Sequence, residues 1–150
     1  MNKKEYEGFT LIESLLVLLT ITIFITVPLI SLKRWKEKTK VEMFLSQLER
    51  RIQQTHQSAI LEQHSTKISQ VESENYFKFE YYHHGVQYRD VLYVEEPLNL
   101  RTTDTIEFIH NTGNLKVIQG IRIEDNLNKR NIIYSFQLGS GKVIRREEKK

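Results

Sequence analysis

The hydrophobic and polar positions of this chain of 150 residues form stretches of clearly different character. Residues 1–8 are polar and end in glycine, whereas residues 9–32 hold sixteen Val, Ile, Leu or Phe residues in twenty-four positions. A helix of that length reaches about 36 Å, which is enough to cross a hydrocarbon layer of about 30 Å. The pattern therefore predicts a hydrophobic helix over residues 9–32 that spans a membrane.

The stretch that follows, residues 33–63, has a helical period. Its apolar side chains recur four, three, four and seven positions apart, at Val41, Leu45, Leu48, Ile52 and Ala59. Charged and amide side chains fill the other positions, so the stretch predicts an amphipathic helix. Since no glycine interrupts residues 9–63, we expect one long helix. Pro28 lies within it, and the missing N–H of a proline predicts a kink there.

The remainder of the chain, residues 64–150, has the pattern of β-structure. Alternating segments predict strands at Tyr76–Tyr81, Thr105–Ile109, Gly120–Glu124, Asn131–Leu138 and Lys142–Arg145. Turn residues separate them at the spacing of a meander. We therefore predict an α+β fold in which the long N-terminal helix packs on a small C-terminal antiparallel sheet. The amphipathic half covers the apolar face of the sheet, so residues 33–150 form one domain.

Composition excludes several classes of function. The chain has no cysteine, which excludes disulfides, thiol catalysis and thiolate-bound metals. The net charge of +3 is too small to indicate a nucleic-acid partner. The five histidines lack the spacing of metal ligands, and no nucleophile lies near a base in a known motif. We expect no metal, no cofactor and no enzymatic activity.

Three explanations compete for the polar leader and the apolar stretch. A secretory signal peptide needs small residues at a cleavage site, and the only alanine of the chain is Ala59. A simple membrane anchor accounts for the length of the stretch but leaves Glu13 unexplained, because a carboxylate inside a membrane is costly. The third explanation depends on the motif around that glutamate.

The segment from Gly8 to Leu18, with the sequence GFTLIESLLVL, resembles the processing and assembly signal of type IV pilins and pseudopilins. The resemblance implies that a prepilin peptidase removes residues 1–8 as a leader, cuts after Gly8 and methylates the new N-terminal Phe9. It also implies that Glu13 pairs with the Phe9 amine of a neighbouring subunit during assembly. The alternatives are that Glu13 pairs with the amine of its own chain or is protonated.

The C-terminal segment extends the resemblance to one group within the pilins and pseudopilins. A short leader, no cysteine pair and the sequence LGSGKV at residues 138–143, followed by basic residues, are similar to the minor competence pseudopilins of Gram-positive bacteria. This resemblance implies a minor subunit that is required for assembly of the transformation pilus and for binding and uptake of extracellular DNA. The implied partners are other pilins of the same pilus, the prepilin peptidase, the inner assembly platform, the membrane and DNA.

The resemblance also implies a location. It predicts a single-pass protein of the cell membrane with residues 33–150 outside, which reaches the cell surface after cleavage and assembly. Two other functions remain open, namely a pseudopilin of a type II secretion-like system and a membrane-tethered binding domain that does not polymerise. The positive-inside rule opposes the predicted orientation. Five basic residues directly follow the apolar stretch: Lys33, Arg34, Lys36, Lys38 and Lys40.

A direct contact with DNA is a separate hypothesis. The candidate residues are the cations near the C-terminus: Lys142, Arg145, Arg146, Lys149 and Lys150. A cluster of this kind is sufficient for salt-sensitive binding to phosphates. Glu147 and Glu148 dilute its charge, however, and an ordinary solvated surface is the alternative.

Overall fold

The structure is a computed structural model that describes residues 10–137 and 141–150, without the side chains of residues 27–31. The chain divides into two compact units, Met1–Thr39 and Lys40–Lys150. Helix α1 runs from Leu11 to Leu61, and a short 3-10 helix occupies Glu72–Glu74. The strands are β1 (Thr66–Val71), β2 (Tyr76–His83), β3 (Val86–Tyr93), β4 (Leu98–Leu100), β5 (Thr105–Phe108), β6 (Gly120–Asp125), β7 (Arg130–Phe136) and β8 (Val143–Lys149).

The eight strands in the described part of the chain form two antiparallel sheets of four strands each. The first sheet has the order β3-β2-β1-β5 and the second has the order β4-β6-β7-β8. A tight turn joins β2 to β3 through His84 and Gly85, which both have positive φ. Local hairpins therefore account for part of each sheet, whereas the β1–β5 and β4–β6 pairings join strands that are distant in sequence.

One hydrophobic core fills the unit Lys40–Lys150. The apolar stripe of α1 is buried in it, with exposed fractions of 1% or less at Val41, Leu45, Leu48, Ile52 and Ala59. Both sheets add aromatic and branched side chains to the same core, such as Phe77 and Phe79 from β2 and Ile121 and Ile123 from β6. The spacing of the stripe is thus explained by packing of α1 against both sheets.

The predicted pilin-like fold is wrong as stated. We expected one small antiparallel sheet behind a long helix with a membrane half, but the described chain contains two four-stranded sheets. The strands that were not predicted are β1, β3 and β4, and they are needed to complete both sheets. The chain fits an α+β description only loosely.

The prediction of a membrane-spanning half of the helix is also wrong. No helix in the part of the chain that the structure describes is long and apolar enough to cross a membrane. The apolar side chains described on the first half of α1 extend from Leu11 to Ile25, with Glu13 among them, whereas a span needs about 20 predominantly apolar residues. The predicted single-pass location in the cell membrane, with its C-terminal part outside and at the cell surface after assembly, is overturned by the same finding.

Candidate functional site

The first half of α1 exposes a continuous apolar surface, which we call the apolar segment (residues 11–26). Eleven of its large apolar side chains are exposed, from 43% at Val17 to 86% at Leu11. They are Leu11, Ile12, Leu15, Leu16, Val17, Leu18, Leu19, Ile21, Ile23, Phe24 and Ile25. Exposed apolar surface of this extent is typical of a site of interaction with another molecule.

Glu13 lies in the first turn of α1, inside the apolar segment. The Glu13 N–H lies 3.4 Å from the Thr10 hydroxyl oxygen, and the Ser14 N–H donates to the Thr10 carbonyl at 3.2 Å. Thr10 and Glu13 therefore have the spacing of a capping box, a local role that the sequence reasoning missed. The positive end of the helix dipole also favours a carboxylate at this position.

The hydroxyls of Thr20, Thr22 and Thr26 in the apolar segment donate hydrogen bonds to backbone carbonyls of the same helix. Thr20 donates to the carbonyls of Leu16 and Val17, and Thr22 donates to that of Leu18 at 2.8 Å. Thr26 donates in the same way to Thr22 at 2.7 Å. These hydroxyls therefore add little polarity to the surface of the segment.

Three of the residues predicted to act in processing and assembly lie partly or wholly outside the described part of the chain. Gly8 and Phe9 precede the first described residue. Pro28 lies within α1, but its side chain is outside the described part, so the kink stays a prediction.

The cations proposed to contact DNA do not form one patch. Alternation along β8 places Arg145 on the face that carries the buried Tyr134 of β7, because these two residues are paired in the sheet. Arg146 is paired with Ile133 and therefore lies on the opposite face. Lys149, paired with Arg130, is exposed on the same face as Arg145. The two neighbouring arginines thus serve different surfaces.

Arg145 belongs to an ion-pair network between α1 and the second sheet. Its guanidinium lies 3.2 Å from Glu42 and 2.6 Å from Glu147, and Arg130 lies 2.7 Å from Glu42. The Tyr134 hydroxyl donates to Glu49 at 3.0 Å. These contacts occupy Arg145, so it is a structural residue and a poor candidate for phosphate binding.

The network shifts the ionisation of its members. Partial burial acts to raise the pKa of Glu42, but hydrogen bonds from Arg130 and Arg145 outweigh it and hold that pKa below its ordinary value. Burial would lower the pKa of Arg145, but the carboxylates of Glu147 and Glu42 and the nearby Tyr134 raise it. Burial and the neighbouring Glu49 raise the pKa of Tyr134. Glu42 and Arg145 therefore stay ionised at neutral pH.

The other predicted cations differ in their surroundings. Lys150 forms an ion pair with Glu124 on β6, and its backbone N–H donates to Lys129 at 3.0 Å. Lys142 is exposed just before β8. Of the five cations, Arg146 and Lys149 are exposed and form no ion pair with any residue that the structure describes.

The structure adds Arg122 to this group. Arg122 pairs with Ile133, which in turn pairs with Arg146, so the three residues form one row across β6, β7 and β8. Both arginines are exposed, and neither forms an ion pair with residues 10–137 or 141–150. Two strand spacings separate them by about 10 Å. The alternation of residues 120–124 already contained this signal, since Arg122 lies between the buried Ile121 and Ile123.

The outer face of the second sheet, which carries Arg122 on β6 and Arg146 on the edge strand β8, is therefore the candidate phosphate-binding surface. In the described part of the chain, no group of three or more histidine or acidic side chains is placed to hold a metal ion. The sequence matches no protein-family model and no curated protein, and the fold matches no solved structure.

Proposed function

We propose that this chain is a minor pseudopilin of a competence pilus that takes part in assembly of the transformation pilus and in binding and uptake of extracellular DNA. The observation that carries the proposal is the exposed apolar segment, which contains Glu13 in the sequence context of a pilin assembly signal. The unit Lys40–Lys150 has a hydrophobic core of its own. The apolar segment is thus available for contacts with other subunits.

Burial of the apolar segment would supply the free energy of assembly. Complete burial of one large apolar side chain is worth about 1.5–3 kcal/mol, and eleven such side chains are exposed between Leu11 and Ile25. Only part of this gain remains after the entropic cost of association. Helices of neighbouring subunits that pack side by side would cover this surface.

Glu13 would give the contact its register. A carboxylate that is buried among apolar side chains needs a partner of opposite charge at close range. In the proposed filament the partner is the Phe9 amine of a neighbouring subunit, which is created when the prepilin peptidase cuts after Gly8. A misplaced subunit would leave the carboxylate unpaired and would be disfavoured.

Contact with DNA would use the outer face of the second sheet. Arg122 and Arg146 are exposed there without a competing carboxylate in an ion pair, as phosphate binding requires. This assignment replaces Arg145 and Lys150, which are engaged in ion pairs within the chain.

Mass spectrometry of the N-terminus of the protein isolated from cells tests the proposed processing. We expect a chain that begins with N-methylated Phe9, and an uncut chain in cells that lack the prepilin peptidase. An intact Met1 in cells that contain the peptidase would contradict the proposal.

Glu13→Ala tests the assembly role. We expect the variant to be processed and folded but largely absent from sheared pili, with a loss of transformation. Glu74→Ala, which removes an exposed carboxylate from the 3-10 helix, serves as the control and should assemble normally. Normal transformation of the Glu13 variant would reject the assembly role of Glu13, and a defect in protein secretion instead of transformation would reject the competence function.

A further inference from the structure

We propose that a second surface on α1 binds single-stranded nucleic acid through one aromatic side chain and the cations around it. We call it the Trp35 face and define it by Leu32, Arg34, Trp35, Lys36 and Lys38. Trp35 is the only tryptophan of the chain, and its side chain is 67% exposed. No ring contact or cation–π contact occupies its indole within the described residues.

Helical geometry separates this face from the one acidic residue nearby. At about 100° per residue, Lys38 and Leu32 lie about 60° to either side of Trp35, and Arg34 and Lys36 lie about 100° from it. Glu37 lies about 160° away, on the opposite side of the helix beside Lys33. Among residues 32–38, the Trp35 face therefore carries three cations and no anion.

This segment carries a local excess of positive charge. Residues 33–38 contain four basic residues and one acidic residue, a net charge of +3 that equals the net charge of the whole chain. Lys33, Arg34, Lys36 and Lys38 are exposed, and none forms an ion pair within the described part of the chain. A ligand of complementary charge is therefore a polyanion.

The indole decides which polyanion fits best. An acidic peptide would neutralise the cations but would leave Trp35 without a stacking partner. An interfacial helix presents a broad apolar face to lipid, whereas Leu32 is the only aliphatic residue of the Trp35 face. Single-stranded nucleic acid offers phosphates for Arg34, Lys36 and Lys38 and an unpaired base that stacks on the ring.

This inference does not rest on the proposed function, since a chain that never enters a filament carries the same surface. It also differs from the Arg122 and Arg146 surface, which contains no tryptophan. Binding of DNA at the Arg122 and Arg146 surface alone would leave the fluorescence of Trp35 unchanged. Failure of one proposal is therefore distinguishable from failure of the other.

A titration of the purified full chain with a short oligothymidylate tests the proposal, with the intrinsic fluorescence of Trp35 as the readout. We expect quenching on binding, and a slope of log affinity against log salt of about −2 for three phosphate contacts to a single strand. Anisotropy of a labelled oligothymidylate should show that Trp35→Ala weakens binding about tenfold, as for the loss of one stacked base.

A matched pair of variants distinguishes binding at the Trp35 face from attraction to the net charge of the chain. Lys38→Gln should weaken binding and bring the slope to about −1.4, whereas Lys33→Gln, on the far side of the helix, should change both much less. Equal effects of the two variants, or binding without quenching, would overturn the proposal. Equal quenching by polyglutamate, or a blue shift with anionic phosphatidylglycerol vesicles in place of binding to the oligothymidylate, would also overturn it.

Discussion

Arg145 and Arg146 have opposite surroundings although they are adjacent in sequence. The Arg145 side chain is 26% exposed and is held by Glu42, Glu49 and Glu147, whereas Arg146 is exposed on the other face of the sheet. The alternation of a strand explains the difference, because successive side chains point to opposite faces.

This difference predicts unequal effects of the same substitution. Arg145→Gln should lower the free energy of unfolding by about 1–2 kcal/mol, since it removes charged hydrogen bonds and leaves Glu42 with fewer partners. Arg146→Gln should change it by less than about 0.5 kcal/mol. Urea unfolding of the two variants measures both values. Equal losses of stability would contradict the assignment of Arg145 to the network.

His56 lies in a tight site beside the core residue Phe108. Its ring packs edge-on against Phe108 at 5.1 Å between centroids, and its Nε2 is buried without a hydrogen-bond partner in the described structure. A methyl group added at Gly113 or Gly141 would lie 2.6 or 2.3 Å from Nε2, so two glycines make room for the ring. Burial lowers the pKa of His56, and the Gly113 carbonyl offsets only part of the effect.

The lowered pKa of His56 predicts a loss of stability in mild acid. The unfolded chain, in which the pKa of histidine is about 6.5, takes up the proton before the folded chain does. The contribution of neutral His56 to the free energy of unfolding is therefore complete above about pH 6.5 and declines as the pH falls below that value. Urea unfolding of the wild type and of His56→Gln at pH 8 and pH 5 measures this contribution. The other titrating groups are common to both proteins, so they cancel in the difference between the two free energies of unfolding. A constant difference between the two proteins would contradict this account.

Part of this residue-scale organisation could be predicted from the sequence. The alternation of residues 120–124 places Arg122 outward, and the apolar spacing around Leu45 and Leu48 places these side chains inward. The partners of Arg145 could not be predicted, because Glu42 and Glu49 are separated from it by about a hundred residues. A basic residue has the same sequence signature whether it is free or paired.

At the scale of elements, α1 serves two purposes along its length. Residues 11–26 expose their apolar side chains, whereas Leu48 and Ile52 are fully buried against the sheets. The helical period predicts the buried stripe because it depends only on local spacing. The prediction of a single sheet is wrong, and the sequence pattern could not reveal the second sheet because the β1–β5 and β4–β6 pairings depend on contacts between distant segments.

Strand β1 shows why parts of the sheets were missed. Its inward positions are Thr66, Ile68 and Gln70, all buried, so two of its three core positions are polar. The Thr66 hydroxyl donates to the Thr55 carbonyl at 2.8 Å, which compensates for its burial. A strand of this kind does not show the alternation of apolar and polar residues by which strands are predicted.

The two halves of α1 predict different outcomes for the same truncation. Leu48→Ala should lower the free energy of unfolding by about 2–5 kcal/mol, because it opens a cavity in the core. Leu18→Ala should change it by less than about 0.5 kcal/mol, since Leu18 is 64% exposed. Thermal or urea unfolding, followed by circular dichroism, measures the two effects. A large loss of stability in the Leu18 variant would show that the apolar segment is covered within the chain.

At the scale of the whole molecule, folding and the proposed assembly would use separate parts of the chain. In the described part of the unit Lys40–Lys150, the buried apolar residues form one core to which α1 and both sheets contribute. The apolar segment lies in the other unit and keeps its apolar side chains exposed. The central claim of the proposed function is that other pilins cover this segment in a filament.

Photo-cross-linking from single cysteines tests this claim most directly, because the chain has no cysteine of its own. Leu18→Cys places a benzophenone probe on the apolar segment, and Ser73→Cys places it on the exposed 3-10 helix as a control. In sheared pili we expect the probe at position 18 to form covalent adducts with other pilins of the same pilus, identified by mass spectrometry, and the probe at position 73 to form few. No adduct at position 18, or equal yields at both positions, would contradict the account.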